Sequence, residues 1–290
     1  WKNIFDITGL EQATNLTALH LGQNQISDFT AIANLTGLTQ LSLNHNQIDD
    51  IASLSNLTQL TFLQLDSNII NDISPLSTLE NLEFINIRGG NVFTDISALA
   101  NLPQLRELWI RVDEIEDLSA LTSLANLDFI WVNGQISQAH LKVIGNLNSL
   151  TRLGLESNAV TDISRLSTLT NLTYLDLRRN QVQDISPLRQ LSQINRLNLN
   201  GNPVLDFGPI LDLPNLYQLE LDASARLSAD SRNRILNLSS PGDYVTISDR
   251  HSLKISGDLT LEALVYAPEL GGWGQIIGKG DETAGQDSYF

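Results

Sequence analysis

Cysteine and methionine are absent from this chain of 290 residues, and charged residues make up only 17% of it. Without cysteine there can be no disulfide, no thiolate nucleophile and no cysteine-ligated zinc. Apolar runs stay well below the ~20 residues that a membrane-spanning helix needs. Lysine and arginine are scarce, and the formal net charge is −16. Nucleic acid is therefore excluded as a natural partner, because phosphate binding needs clustered basic side chains.

What the chain has instead is one motif, L-x-x-L-x-L-x-x-N-x-I-x-D-I-S-x-L, repeated every 22 residues with one extra residue in two steps. This is the pattern of leucine-rich repeats. In the first copy Leu19 and Leu21 alternate with His20, which indicates a short strand with one buried face. Stacked copies predict an α/β solenoid, a horseshoe with a parallel sheet on its concave face. The copies begin at Leu16, Leu38, Leu60, Leu82, Leu105, Leu127, Leu150, Leu172, Ile194 and Leu216.

Two polar columns recur within the motif, and both are interpreted as structural. An asparagine follows each strand where the chain turns, and its amide is expected to satisfy backbone groups that the turn leaves unpaired. An aspartate precedes the I-S-x-L segment, where it is expected to cap a short helical turn that Pro75 or Pro187 can begin. A row of carboxylates could also be a calcium or acid–base site, but a local cap in every copy favours the structural interpretation. The aspartates are Asp6, Asp28, Asp50, Asp72, Asp95, Asp117, Asp162, Asp184 and Asp206.

The repeat ends after Leu221 and the composition changes. Residues 223–234 suggest a short helix that closes the stack, and strand-like segments follow at 244–247, 259–266 and 275–280. We therefore predict a solenoid over residues 1–233 and the truncated start of a second domain over residues 234–290. The chain begins in the middle of a repeat, so we expect it to be a piece of a longer protein.

The segment from Asn171 to Leu188, N-L-T-x-L-x-L-x-x-N-x-V-x-D-I-S-P-L, closely resembles internalin-type leucine-rich repeats of the 22-residue class. The resemblance covers about 1–221, and it implies a secreted or cell-surface receptor or adhesin of bacterial origin. The pattern departs at Gly90 and Asp113, where asparagine is expected. It departs most in the copy from Leu127, which is expected to be locally irregular.

The tail is similar to the opening of a laminin-G-like, concanavalin-A-like jelly roll. The similarity rests on 243–247, 252–253, 259–263, Trp273, 276–277, 279–280 and 288–289. It implies an all-β module that binds sugar or protein, with calcium as a possible cofactor of that domain alone.

Residues between the leucines of each strand point onto the concave face and are free of any role in the core. Several are aromatic or arginine, which is the composition of binding hot spots. Such a positive cluster in an acidic chain predicts a protein ligand with an acidic patch, or a sugar that stacks on the tryptophans. The alternative is that the rings only stack on each other. The predicted ligand-binding residues are Phe84, Arg88, Trp109, Arg111, Phe129, Trp131, Arg152, Tyr174 and Arg178.

The sequence shows no nucleotide-binding loop, no H-E-x-x-H and no G-x-S-x-G. We therefore predict a non-enzymatic protein that recognises or adheres to other proteins. Two alternatives stay open. The chain could be part of a glycan-binding or glycan-hydrolysing enzyme whose paired carboxylates lie beyond Phe290, or an intracellular scaffold of the phosphatase-regulator repeat class.

Overall fold

The computed structural model describes residues 3–211 and 213–221, together with the backbone of three strands further along the chain. Ten short parallel strands form one open sheet in chain order. Equivalent positions of neighbouring copies lie opposite each other, as Leu19, Leu41 and Leu63 do. The predicted solenoid is thus confirmed. The strands are β1 (Ala18–His20), β2 (Gln40–Ser42), β3 (Phe62–Gln64), β4 (Phe84–Asn86), β5 (Glu107–Arg111), β6 (Phe129–Asn133), β7 (Arg152–Gly154), β8 (Tyr174–Asp176), β9 (Arg196–Asn198) and β10 (Gln218–Leu221).

Each strand is connected to the next by a short helical turn, and the leucine and isoleucine columns lie buried between the turns and the sheet. Helix α1 (Gln138–Ile144) replaces the usual 3-10 turn after β6, and α2 (Gly208–Leu211) follows β9. In the described residues no helix is long and apolar enough to cross a membrane. The 3-10 turns span Leu10–Gln12, Thr30–Ile32, Ala52–Asn56, Ser74–Thr78, Ser97–Asn101, Ser119–Ser123, Ser164–Thr168 and Ser186–Gln190.

The asparagine column forms a ladder of hydrogen bonds between neighbouring copies. The Nδ2 group of Asn46 donates to the carbonyl of Leu43 at 2.9 Å and to that of Leu21, one copy earlier, at 3.0 Å. Its Oδ1 accepts from the amide of Ile26 at 2.9 Å. Asn68 and Asn180 repeat these contacts, which confirms the structural interpretation.

The asparagine ladder continues past Gly90 but is interrupted at Asp113. The sequence expectation that the column fails at Gly90 is wrong, because the extra residue in that copy moves the asparagine to Asn91. Asn91 donates to the carbonyl of Leu65 at 3.0 Å and accepts from the amide of Ile70 at 3.0 Å. At Asp113 the ladder does break, since this carboxylate accepts from the amide of Gln135 instead.

The copy from Leu127 is irregular, as predicted. Ser137 begins α1 as its N-cap and accepts a hydrogen bond from the amide of His140 at 3.1 Å. The imidazole Nδ1 of His140 accepts the amide of Ser137 in return. The next ladder residue, Asn158, consequently has a buried Oδ1 without a hydrogen-bond partner among the described residues.

The aspartate column caps the turns. Asp72 Oδ1 accepts the amide of Ser74, the first residue of its 3-10 turn, at 2.8 Å. The sequence suggested that Pro75 begins this turn, but Pro75 is its second residue. Hydrogen bonds from the backbone amide and the hydroxyl two residues further on lower the pKa of the carboxyl in Asp28, Asp95 and Asp184. The bond to the amide two residues on is present for Asp6, Asp28, Asp50, Asp72, Asp95, Asp117, Asp162, Asp184 and Asp206.

Three more strands follow: β11 (Tyr244–Ile247), β12 (Glu262–Ala267) and β13 (Gly272–Ile277). The strand predicted at 244–247 is present, but it pairs in parallel with β10 and so continues the solenoid sheet, with Tyr244 opposite Gln218. Strands β12 and β13 pair in antiparallel fashion. The helix predicted at 223–234 and most residues of the proposed jelly roll lie outside the described residues. The domain boundary at 233/234 therefore stays a prediction.

The asparagine ladder yields a stability prediction. We expect Asn68→Ala to lower the free energy of unfolding by about 3 kcal/mol, because it leaves the amide of Ile48 unpaired in a site that is 1% exposed. It also removes one of the two donors that bond each of the carbonyls of Leu43 and Leu65. Denaturant unfolding followed by circular dichroism measures this. The matched control, Asn81→Ala, removes a single exposed bond to Thr58 and should cost less than about 1 kcal/mol. Equal losses in the two variants would contradict the ladder's role.

The aspartate caps yield a pH prediction. The carboxyls of Asp28, Asp95 and Asp184 have a lower pKa in the folded chain than the ordinary value of 3.8. They therefore stabilise the fold when the pH is above 3.8, and this stabilisation is lost as the pH falls through the lowered pKa. A triple variant with Asp28→Asn, Asp95→Asn and Asp184→Asn should therefore lose less stability than wild type between pH 5 and about pH 3. Denaturation midpoints across that range measure the difference.

A control variant keeps the change in net charge and leaves the caps in place. It carries Glu80→Gln, Glu114→Gln and Glu116→Gln, at exposed positions outside the aspartate column. Its midpoints should follow the wild-type pH dependence more closely than those of the cap variant. If the two triple variants behaved alike, net charge and not capping would explain the effect.

Candidate functional site

The solvent-facing positions of β1–β10, here called the open sheet face, form straight columns because the strands are in register. The first column contains Phe62, Phe84, Phe129 and Tyr174, and in the second Trp109 lies directly opposite Trp131. Strands β5 and β6 have five residues, whereas their neighbours β4 and β7 have three. The tryptophans thus lie on the two longest strands of this part of the sheet.

The aromatic side chains pack against one another across the strands. Trp109 and Trp131 stack with ring centroids 5.2 Å apart and planes 10° apart. Phe129 meets both tryptophans edge-on, at 5.5 Å and 6.3 Å. Phe62 and Phe84 form a second stack, at 4.5 Å. Such contacts contribute about 0.5–1.5 kcal/mol per pair beyond burial, so they hold the ring positions before any ligand binds.

Gly154 makes room for the tryptophan stack. It occupies the next position of the second column, opposite Trp131 on β7. A Cβ atom at Gly154 would lie 2.3 Å from the Cε3 atom of Trp131, closer than non-bonded atoms allow. The indole therefore leans over the glycine backbone, and Trp131 is only 8% exposed.

Arginine side chains cover the aromatic rings. The guanidinium of Arg88 lies over Trp109, 4.4 Å from the ring centroid, and that of Arg152 lies over Phe129 at 4.5 Å. Arg178 approaches Trp131 at 5.7 Å. These are cation–π distances. As a result the ring faces of the cluster are largely occupied by other side chains of this chain.

Most of these arginines are also paired with carboxylates. Arg152 contacts Glu107 at 2.6 Å and Asp128 at 3.2 Å. Arg178 pairs with Glu156 at 2.9 Å and approaches Asp176, and Arg111 pairs with Asp113. The expectation of a positive cluster is therefore corrected, because local ion pairs neutralise these charges. Arg88 differs, since no carboxylate of the described residues lies within 4.0 Å of its guanidinium.

Burial raises the pKa of two neighbouring groups on this face, Asp176 and Tyr174. Desolvation raises the pKa of Asp176, which is 1% exposed, and hydrogen bonding with Arg178 and its charge oppose this effect. Tyr174 donates its hydroxyl to Asp176 at 3.2 Å, and burial raises the pKa of the phenol well above its ordinary value. Tyr174 is thus a neutral hydrogen-bond donor at physiological pH and not a base.

A shallow, open groove of about 680 Å³ runs along the edge of the open sheet face, where the strands end. Its lining includes His45, Asp66, Arg88, Arg111 and Asn133. Asp66 is 8% exposed, and burial raises its pKa. No three His, Asp or Glu side chains are clustered for metal binding in the part of the chain that the structure describes. The groove thus offers mixed polar groups of both signs.

The structure brings all nine sequence-predicted residues onto one contiguous surface between β4 and β8, but they differ in access. Arg111 is exposed, and Phe129 and Trp131 are buried at 7% and 8% exposure. The other six are half-buried. Sequence reasoning missed Gly154 and the paired carboxylates Glu107, Glu156 and Asp176. These four residues occupy the same outward columns as the predicted ones, and this position in the repeat could have identified them from the sequence.

Known proteins support the same fold. A family model of leucine-rich repeats in two copies matches residues 14–56, 36–78 and 148–190. An internalin (InlF) from Listeria monocytogenes is 31% identical, with a TM-score of 0.61, over 76% of this chain and 73% of its own. Internalin C2 from the same organism is 27% identical, with a TM-score of 0.54, over 73% and 83%.

The functional domain of InlJ from Listeria monocytogenes, which includes a cysteine ladder, is 25% identical with a TM-score of 0.60, over 76% of this chain and 47% of its own. No curated protein sequence gives a significant match. The protein is a leucine-rich-repeat solenoid. With 31% identity to a solved internalin of which it covers 73%, the chain belongs to the internalin family.

The site geometry predicts the effect of filling the space beside Trp131. We expect Gly154→Ala to displace the indole from its stack with Trp109, to lower stability by about 1–3 kcal/mol and to change near-ultraviolet circular dichroism and tryptophan fluorescence. Gly37→Ala is the control, since the nearest heavy atom to its Cβ would be 3.6 Å away. Unchanged spectra in the Gly154 variant would contradict the stacked arrangement.

Proposed function

We propose that this chain is a non-enzymatic recognition module that binds a protein partner on its open sheet face, around Trp109 and the groove beside it. The observation that carries the proposal is the arrangement of aromatic and arginine side chains at outward positions of five consecutive strands, β4 to β8. These positions have no role in the leucine core. A stack of repeats otherwise has no physical need for aromatic residues there.

The cluster is suited to binding because it is already ordered. Ring stacking, cation–π contacts and ion pairs fix the side chains of Trp109, Arg152 and Arg178 in the free protein. Binding then costs little side-chain entropy, which is the usual source of affinity in preorganised surfaces. Phe129 and the ring of Trp131 are buried and support this surface from below. Phe84, Arg88, Trp109, Arg111 and Tyr174 are the more accessible residues proposed to touch the partner.

A protein partner is favoured over a sugar by the covered ring faces. Sugar rings bind proteins by stacking on open aromatic faces, but Arg88 covers Trp109 from the β4 side and Trp131 covers it from the β6 side. Membership of the internalin family supports a bacterial protein that acts at the cell surface or after secretion, and we propose this location. The lectin-like module and its calcium stay predictions of the sequence.

The test is a binding screen of the 290-residue chain against purified extracellular proteins and a glycan array. We expect a protein ligand whose affinity falls by about 2 kcal/mol, roughly 30-fold, in a variant with Trp109→Ala and Arg111→Ala. The matched control is Phe5→Ala with Arg189→Ala. It removes the same kinds of side chain from exposed positions outside the open sheet face.

Circular dichroism of both variants confirms that the fold is kept. If the control weakened binding as much as the Trp109 and Arg111 variant, the binding surface would lie elsewhere on the solenoid. If only glycans bound, the proposed class of partner would be wrong.

A further inference from the structure

We propose that Arg88 and the indole N–H groups of Trp109 and Trp131 form a subsite for a carboxylate, and that this subsite takes an acidic side chain of the protein partner. The inference rests on the proposed function and specifies the chemistry of the partner's contact. Its starting point is a set of hydrogen-bond donors that have no acceptor among the described residues.

The indole Nε1 atoms of Trp109 and Trp131 are both shielded from solvent, and neither has a hydrogen-bond partner in the described part of the chain. The Nε atom of Arg178, beside Trp131, is also buried without a hydrogen bond, although it lies 3.2 Å from Asp176. Buried donors are nearly always paired in folded proteins. Two indole donors in one aromatic stack therefore call for an acceptor that lies outside the described residues, and we assign it to a partner.

Arg88 adds a charge to these donors. Its guanidinium lies on the ring of Trp109 and forms no ion pair within 4.0 Å among the described residues. Asp66 is near enough for the charge of Arg88 to lower its pKa, but Asp66 Oδ1 accepts a hydrogen bond from Nδ2 of Asn86 at 2.9 Å. The guanidinium therefore lies on the aromatic ring without a direct ion pair in the described residues, and it can turn toward an incoming anion.

The surrounding carboxylates bond other donors, and none of those in the described residues accepts from either indole. Glu156 pairs with Arg178 and Arg179. Asp113 accepts the amide of Gln135 and pairs with Arg111. Asp176 accepts the hydroxyl of Tyr174 and the backbone amide of Arg178. A carboxylate from a partner would therefore meet an excess of donors at the tryptophan stack, in spite of the acidity of the whole chain.

The groove gives a partner access to this subsite. Arg88 lines the groove and also covers Trp109, so a group bound in the groove beside Arg88 lies next to the tryptophan stack. Arg111 lies in the same lining and is exposed. A peptide segment lying along the strand ends could place an acidic side chain against Arg88. A sugar acid has less to gain, because the ring faces on which its pyranose would stack are covered.

The test uses the 290-residue chain and a fluorescein-labelled 12-residue peptide of alternating glutamate and serine. Its counterpart has glutamine in place of glutamate. Fluorescence anisotropy at low and physiological salt measures affinity. We expect the glutamate peptide to bind at least ~10-fold more tightly than the glutamine peptide, as for charge-assisted hydrogen bonds. We also expect its affinity to fall at least ~5-fold in Arg88→Gln and in Trp109→Phe.

Two controls separate the subsite from general electrostatics. Arg189→Gln removes the same charge from an exposed position on a 3-10 turn and should leave the affinity within ~2-fold, since exposed distant charges are screened. Trp109→Phe keeps an aromatic ring under Arg88 and removes the indole donor, together with one ring of the stack on Trp131. Equal loss in Arg189→Gln and Arg88→Gln, or no loss in Trp109→Phe, would overturn the proposal.

Nuclear magnetic resonance gives a direct readout of the donors. With ¹⁵N-labelled protein, the indole N–H signals of Trp109 and Trp131, assigned with Trp→Phe variants, should move downfield with the glutamate peptide and stay in place with the glutamine peptide. No movement at either indole would overturn the subsite. Movement with an oligogalacturonate but not with the glutamate peptide would overturn the choice of a peptide carboxylate.

The two proposals fail in different ways. If a protein ligand from the screen depends on Trp109 and Arg111 but is unaffected by Arg88→Gln, the open sheet face still binds the partner and the carboxylate subsite is wrong. If the ligand ignores the whole open sheet face, the proposed function itself is wrong.

Discussion

A single copy of this repeat cannot bury its own leucines, and every other feature of the structure depends on that constraint. Copies must stack in register so that Leu41 lies against Leu19 and Leu63. In such a stack, the backbone N–H and C=O groups of each buried turn must find hydrogen-bond partners in the same copy or in a neighbouring one. The asparagine ladder does this, because one side chain such as Asn46 bonds its own copy and the copy before it. The aspartate caps complete the turns on the other side of the core.

The ladder is interrupted where the aromatic cluster lies. Asp113 stands at the ladder position that follows β5, and the copy from Leu127 replaces its turn with α1. These are the copies that carry Trp109 and Trp131. Strands β5 and β6, whose copies lack the ladder asparagine, have five residues, whereas β4 and β7 have three. The irregular part of the scaffold and the candidate binding surface therefore coincide along the chain.

Most charged and aromatic side chains of the open sheet face already pair or pack with other side chains of this chain. Arginines that looked like a positive patch in the sequence are paired with Glu107, Glu156 and Asp113. Aromatic rings that looked available are stacked, covered or buried. Within the described residues, Arg88 has no carboxylate partner and the indole N–H groups of Trp109 and Trp131 have no acceptor. Side-chain groups without a partner therefore indicate the ligand-binding position more specifically than the aromatic and arginine composition of the face does.

The sequence by itself determined the solenoid, the strand register, the roles of the asparagine and aspartate columns and the irregular copy after Leu127, because each is a local pattern repeated at a fixed period. It also placed the nine candidate residues on one face. It could not show that Asn91 replaces Gly90 in the ladder, since the register of one extra residue depends on packing against the neighbouring copy. Only the tertiary structure decided which side chains meet across strands. The Trp109–Trp131 stack, the Arg152–Glu107 ion pair and the space above Gly154 arise between residues of different repeats, 22 or more positions apart, and no local pattern encodes whether such groups find partners.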